Sequence, residues 1–410
     1  MIVQFDAYLE DLGCFGSLTL SLFVLIALFM RLKETKGPKL HIHAMIAFFT
    51  INAFDMLDSL AWGAVFRGPS ALYGWENLLI PGFMISVYFF VKGLTSPAPT
   101  WRPKDLLHLL PFAVAFLCLA PFLTLPGSVR AGGVPIGVSE TQLALAELGE
   151  TGFWVLWILV LLVYGTLCVR RLARHKRNIR DLFSDLEGKT LRWLDLLIAT
   201  IFLLAGFVIV DEVRILGGAE DMRSGVVSLL YDLVLTGSFG LFALRADPPL
   251  PEWSHPVLER ETASPSEDEV IPTNAPQQDA LSEAPSTRYA RSGLQAEDLD
   301  RFATRLEQRM RAEQLWRDHD LNLRSLATAI AISPIHLSEV LNTRLGATFY
   351  DYVNQCRIQD ACTLLVQSDQ TMLEISETVG FNAKSTFNAS FRKITGQTPS
   401  QWRKSQKTAA

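Results

Sequence analysis

Residues 380–404 read GFNAKSTFNASFRKITGQTPSQWRK. A glycine-led turn opens the stretch, a helix with a polar, basic face follows, and a Gly/Pro segment closes it. From Gly380 to Ala410 stand six basic residues, Lys384, Arg392, Lys393, Arg403, Lys404 and Lys407, and no acid. That is the charge pattern of a surface that meets nucleic-acid phosphate. Upstream, the first half of the chain is a run of apolar segments long enough to cross a bilayer. An all-α architecture is expected: a seven-helix transmembrane domain at 1–245, a disordered Pro/Ser/acidic linker at 246–292, and a double helix-turn-helix domain at 293–410.

The 380–404 pattern has an antecedent about fifty residues earlier, LRSLATAIAISPIHLSEVLN at 323–342. Leu326, Ala327 and Ile330 define a short helix, and Ile332 covers the turn. Ser333 is a good N-cap, with Pro334 at the first helical position. Leu337, Val340 and Leu341 then face a core, the patterning of a helix-turn-helix. Leu326 corresponds to Ile375, Ile330 to Val379, Ile332 to Phe381, Leu337 to Phe387 and Leu341 to Phe391, at an offset of 49 before the second turn and 50 after it. The two units fall near 323–343 and 372–394. An apolar-striped helix from Phe349 to Val366 joins them. A further amphipathic helix at 296–317 carries Leu299, Phe302, Leu306, Met310 and Leu315 on one stripe.

These residues together resemble the DNA-binding domain of the AraC/XylS transcription regulators. The likeness rests on His336–Leu337–Ser338, Gly346 through Tyr352, Arg357–Ile358, Ile375, Gly380–Phe381, Ser385, Phe387, Phe391, Gly396, Thr398–Pro399 and Arg403, and covers about a quarter of the chain. It implies two recognition helices set into successive major-groove segments, about one helical turn apart. Carried over position by position, the base-facing residues are Ile335, Ser338 and Glu339 in the first helix, and Lys384, Ser385, Asn388 and Ala389 in the second. Lys384 suits guanine edges and Asn388 adenine edges. Arg392, Lys393 and Arg403 are expected to hold phosphates. The implied partners are double-stranded promoter DNA and RNA polymerase, with a homodimer an open option. Some positions depart from the family: Ala383 occupies the usual N-cap, leaving Asn382 to cap one residue early, and Trp402 stands where Tyr is common. Ile335 and Glu339 make the first recognition helix neutral to acidic. Over 296–410, 14 basic residues face 13 acids, so the nonspecific field is weak and affinity needs two copies or tethering.

Seven segments have the length and apolarity of spanning helices, near 12–32, 43–66, 74–92, 105–124, 149–169, 191–213 and 224–244. The first has no basic stretch before it and no small-residue cleavage site after it, so it reads as an uncleaved span. Loop charge sets the orientation. Arg31, Lys33, Lys36 and Lys39 follow the first span. Arg102 and Lys104 follow the third, with Lys92 at the helix end. Arg170, Arg171, Arg174, Lys176, Arg177, Arg180 and Lys189 follow the fifth. The alternate loops hold only Arg67, Arg130, Arg214 and Arg223. The N-terminus is therefore expected outside and the C-terminal domain in the cytoplasm; the resemblance, together with this topology, implies that the membrane is a bacterial inner membrane.

Ionisable groups inside spans are costly and mark function. Asp55, Asp58, Asp211 and Asp232 form the candidate stimulus site, with Glu76, Glu147, Glu150 and Glu212 near it and Asn52 and His108 elsewhere in the spans. Asp55 and Asp58 share a helix face. A cationic or hydrogen-bonding small molecule, or a change in pH, is the stimulus such a cluster would take; interhelical hydrogen bonding is the plainer alternative.

The linker carries Pro248, Pro249, Pro251, Pro256, Pro265, Pro272, Pro276 and Pro285 among Ser, Glu, Asp and Gln, and cannot bury a core. A tether of about 50 residues reaches on the order of 40 Å. Helix rotation would be lost in it, whereas dimerisation, proteolytic release or docking of the tail onto cytoplasmic loops would not. The five cysteines show no zinc spacing or disulfide framework, and no cofactor motif appears. A membrane-embedded one-component regulator is the leading expectation. A transporter or channel with a regulatory tail is the alternative, since Pro81, Pro111 and Pro121 interrupt two spans. An intramembrane enzyme lacks a partner group for its carboxylates.

Overall fold

A computed structural model describes residues 2–62, 73–97, 103–218, 226–262 and 295–409. The chain divides into two compact units, Met1–Ala173 with Leu191–Leu250, and Arg174–Thr190 with Pro251–Ala410. Both are helical. Among the described residues no strand forms, and one isolated bridge pairs Phe183 with Asn322.

The first unit holds α1 (Ile2–Glu34), α2 (Leu40–Trp62), α3 (Pro81–Thr95), α4 (Leu110–Leu123), the short α5 (Gly127–Arg130), α6 (Glu140–Leu182) up to Ala173, α7 (Arg192–Leu216) and α8 (Val226–Arg245). Six helices among the described residues are long and apolar enough to cross a membrane, and the seventh expected segment falls on α8, whose Leu233–Arg245 is a shorter apolar stretch. The prolines at 81 and 111 do not interrupt helices: each sits in a first turn, after the 3₁₀ segments Glu76–Leu79 and Pro103–Leu109. There the missing N–H costs nothing. Pro121 does lie inside α4. At 43 residues, α6 is about 65 Å long, roughly twice the hydrocarbon thickness. The basic stretch expected as a loop after residue 169 is therefore helical to Leu182.

Burial in this unit centres on Phe48, Phe49, Phe90 and Phe239, with Phe48 and Phe239 stacked at 4.5 Å. Beside them lies a buried polar knot. Ser17 Oγ and Thr236 Oγ1 are 2.6 Å apart, and the Asn52 amide donates to Ser21 Oγ at 2.9 Å. These bonds tie α1, α2 and α8 together, as in helix packing without a hydrophobic drive. Lys92, expected at the end of the third span, donates to both oxygens of Asp105, at 2.7 and 2.8 Å, in a buried ion pair.

The second unit holds the end of α6, then α9 (His255–Thr262), α10 (Ala296–Glu313), α11 (Leu323–Ala329), α12 (Pro334–Thr343), α13 (Phe349–Gln367), α14 (Met372–Thr378), α15 (Lys384–Thr395) and α16 (Pro399–Ala409). The linker expectation changes here. Residues 255–262 are helical and pack on α12, with Val257 and Leu258 buried; 263–292 lie outside the described residues. α10 also ends earlier than expected, at Gln314, whose φ of 51° turns the chain into a 3₁₀ segment at Leu315–Arg317.

Candidate nucleic-acid interface

Local chemistry builds the two helical pairs. Asn322 caps α11, Ser333 caps α12 with Pro334 behind it, and Thr371 and Glu374 form a reciprocal capping box on α14. The repeated apolar positions converge. Leu326, Ile330, Leu337 and Leu341 are buried in the first pair, and Ile375, Val379, Phe381, Phe387 and Phe391 in the second; Ile332 is half-buried. Each turn needs a left-handed residue. In the second it is Gly380, at φ 95°; in the first it is Ala331, at φ 54°.

Arg357 of α13 locks the pairs to each other. Its side chain is only 1% exposed. It donates to Trp316 O and Asp318 O, each at 2.8 Å, and to Ser184 Oγ at 3.2 Å, while its guanidinium lies over the Phe381 ring. Burial pulls its pKa down to about 10 against the pull of Asp185 and Asp318. Ser184 in turn donates to Leu321 O at 2.6 Å. The sequence marked Arg357 only as part of a family pattern. Its partner at Ser184, 173 residues away, left no local signal.

The helix expected to read bases in the second pair is α15. Lys384, Ser385, Asn388 and Ala389 are all exposed on it, opposite buried Phe387 and Phe391. Arg392 is exposed too. Lys393 is exposed and ion-paired with Asp351 at 2.7 Å. Arg403 departs from the phosphate role: it donates to Leu365 O at 3.2 Å and Gln370 O at 2.7 Å, bracing the end of α13. No side chain caps α15. Asn382 does not fold back to do so; its amide donates to Asp185 Oδ2 at 2.7 Å.

The helix expected to read bases in the first pair, α12, differs. Ile335 is half-buried, but Ser338 and Glu339 are only 4% and 3% exposed. They do not face solvent as a base-reading pair would. At 100° per residue, Glu339 points about 150° away from the core direction of Leu337, Val340 and Leu341. Its burial therefore comes from cover other than the core, and α9 and α10 both pack on α12.

In the first unit the candidate stimulus residues separate. Asp55 lines a cavity of about 240 Å³ together with Asn52, Thr236, Trp157 and apolar side chains. Asp58 is hydrogen-bonded to Glu76 and does not line the cavity. Asp211 is buried beside Arg214 of its own helix at 3.2 Å. The side chains of Asp232 and Glu212, and Arg223, lie outside the described residues. No group of three or more metal-ligating side chains gathers among the described residues.

Residues 326–405 match a family described as a helix-turn-helix domain. They form a helix-turn-helix domain of the AraC type. An uncharacterized HTH-type transcriptional regulator of Staphylococcus aureus is 34% identical over 84 residues, 20% of this chain and 11% of that protein. The chain thus spans about a tenth of that relative's length. A probable transcription factor, PqrA, of Proteus vulgaris is 29% identical over 90 residues, 22% of this chain and 74% of that protein. Among solved structures, the C-terminal domain of AraT, a response regulator from Geobacillus stearothermophilus, covers 28% of this chain and 88% of its own at 27% identity, with a TM-score of 0.23.

Proposed function

We propose that the protein is a membrane-tethered one-component transcription regulator. Its AraC-type domain reads promoter DNA through two helix-turn-helix pairs, and its apolar helices anchor it in a bacterial inner membrane with the DNA-binding domain in the cytoplasm. The observation that carries DNA reading is α15, which presents Lys384, Ser385, Asn388 and Ala389 on one exposed face. Anchoring is supported by outward-facing Phe23, Leu107 and Leu203, apolar groups that water would not tolerate in such number but lipid would. RNA polymerase and a second copy of the chain are the expected protein partners. Sensing is assigned to the cavity beside Asp55, whose apolar wall and polar floor suit a small molecule with one cationic or hydrogen-bonding group.

Chromatin immunoprecipitation of the full-length protein tests the reading. A few sharp sites sharing a two-part motif are expected, lost in Lys384→Ala with Asn388→Ala, each base contact being worth about 1–3 kcal/mol. Asp55→Asn should keep the sites and lose the response to stimulus. Absence of any site in every growth condition, with membrane expression verified, would refute DNA reading.

A further inference from the structure

The geometry points to an autoinhibited state in which α9 covers the base-reading face of α12; this rests on the DNA reading proposed above. α12 has two faces. One supplies Leu337, Val340 and Leu341 to the domain core, and the other carries Ile335, Ser338 and Glu339. A helix read in the major groove must offer that second face to bases. Here α9 packs on α12, Val257 and Leu258 are only 3% and 6% exposed, and Ser338 and Glu339 of α12 are buried as well. Among the described residues α15 has no such cover, so the two recognition helices are unequal in this state.

A second contact acts in the same direction. Asp185 accepts from Asn382, two residues before α15 begins. The start of a helix attracts anions, and a phosphate approaching there meets a carboxylate already in place. Asp185 is held by its neighbours: Ser184 is bonded to Arg357 and Leu321, and Phe183 faces Trp253 just ahead of α9. DNA binding through both pairs therefore requires α9 to leave α12 and Asp185 to yield to phosphate.

The experiment uses the full-length protein in lipid nanodiscs and its Val257→Asp/Leu258→Asp variant. The added carboxylates by themselves weaken DNA binding, so any gain comes from uncovering. Each protein selects 30-base-pair duplexes from a randomised pool. The unaltered chain is expected to select one short box. The variant is expected to select two boxes about one helical turn apart and to bind about tenfold tighter, as for a competent state populated near 10%. In parallel, Glu339→Cys is labelled with a maleimide and read by peptide mass spectrometry, which needs no DNA. Labelling should speed up about tenfold or more in the variant background; Leu258→Ala, a milder change, should move it the same way. Asp185→Asn should steepen the salt dependence of binding by about 0.9 in log–log slope, one phosphate contact, whereas Glu187→Gln in the same loop should not. Equal labelling in both backgrounds, or identical motifs and affinities, overturns the cover. Faster labelling with no duplex bound by either protein overturns the DNA reading itself and the inhibitory role with it.

Discussion

Replacing Gly380 by Ala should be the most damaging single-methyl change in the DNA-binding unit. Gly380 sits at φ 95°, where an L side chain costs about 1–2 kcal/mol. A Cβ there would stand 2.6 Å from Trp316 O and 2.8 Å from Arg317 O, both backbone atoms that cannot swing aside. Relieving such overpacking costs about 1–3 kcal/mol. Trp316 O is also an acceptor of Arg357, so the relief strains the buried guanidinium. The expected loss is about 2–5 kcal/mol. The equivalent turn gives an internal control. Ala331 already occupies φ 54° and is exposed, so Ala331→Gly removes strain while loosening the unfolded chain, for a net of roughly 0 to 1 kcal/mol of stabilisation. Urea-dependent pulse proteolysis of the full-length protein, following peptides from α13 and α15, measures both. A loss under about 0.5 kcal/mol for Gly380→Ala, or equal losses for the two changes, would refute the assignment of these turns.

Three further outcomes are expected. Lys92→Ala should destabilise the first unit by about 3–5 kcal/mol by stranding Asp105, and Lys92→Met with Asp105→Leu should recover most of it, read as resistance to unfolding in detergent. Burial raises the Asp351 carboxyl, but hydrogen bonds from Lys393 and Thr348 outweigh it and hold the pKa below its ordinary 3.8. Its contribution is therefore complete above about pH 4 and lost as pH falls below that. The pair is exposed, so the drop in the urea midpoint should correspond to under about 1 kcal/mol and vanish in Lys393→Gln. Ser333→Ala should cost about 1 kcal/mol through loss of the α12 cap, seen in the same urea titration.

What was legible in the sequence were features with a local cause. Ser333–Pro334 announces a helix start, Gly380 a left-handed turn, and the 49/50 offset a duplicated core. The exposed face of α15 was legible because its polar positions stand opposite the apolar Phe387 and Phe391. That of α12 was not, because Ser338 and Glu339 are buried on a helix that also packs against α9, which is far in sequence and set among prolines. Composition predicts whether a segment folds alone, not whether a surface elsewhere gives Val257 and Leu258 a place to bury. The partners of Arg403 and Lys92 were not legible: a basic side chain reads as a free charge until its carbonyl or carboxylate partner is known. Ala331 was missed because only its backbone, not its residue type, marks the turn.

The position of α9 also changes which signalling routes are open. A tether of about fifty residues between the apolar helices and the DNA-binding pairs would dissipate any helix movement. But α8 ends at Arg245 and α9 begins at His255, so only nine residues separate a membrane-type helix from the cover on α12. The other contact is as near: α6 runs unbroken to Leu182, and Ser184 and Asp185 follow it directly. Both covering elements are thus carried by the ends of apolar helices, while the long remainder of the linker lies after α9. Movement of α6 or α8 need not be transmitted through that remainder. It need only pull a short helix off α12. A nearly neutral domain suits this design, because a weak nonspecific field leaves the covered state little residual affinity.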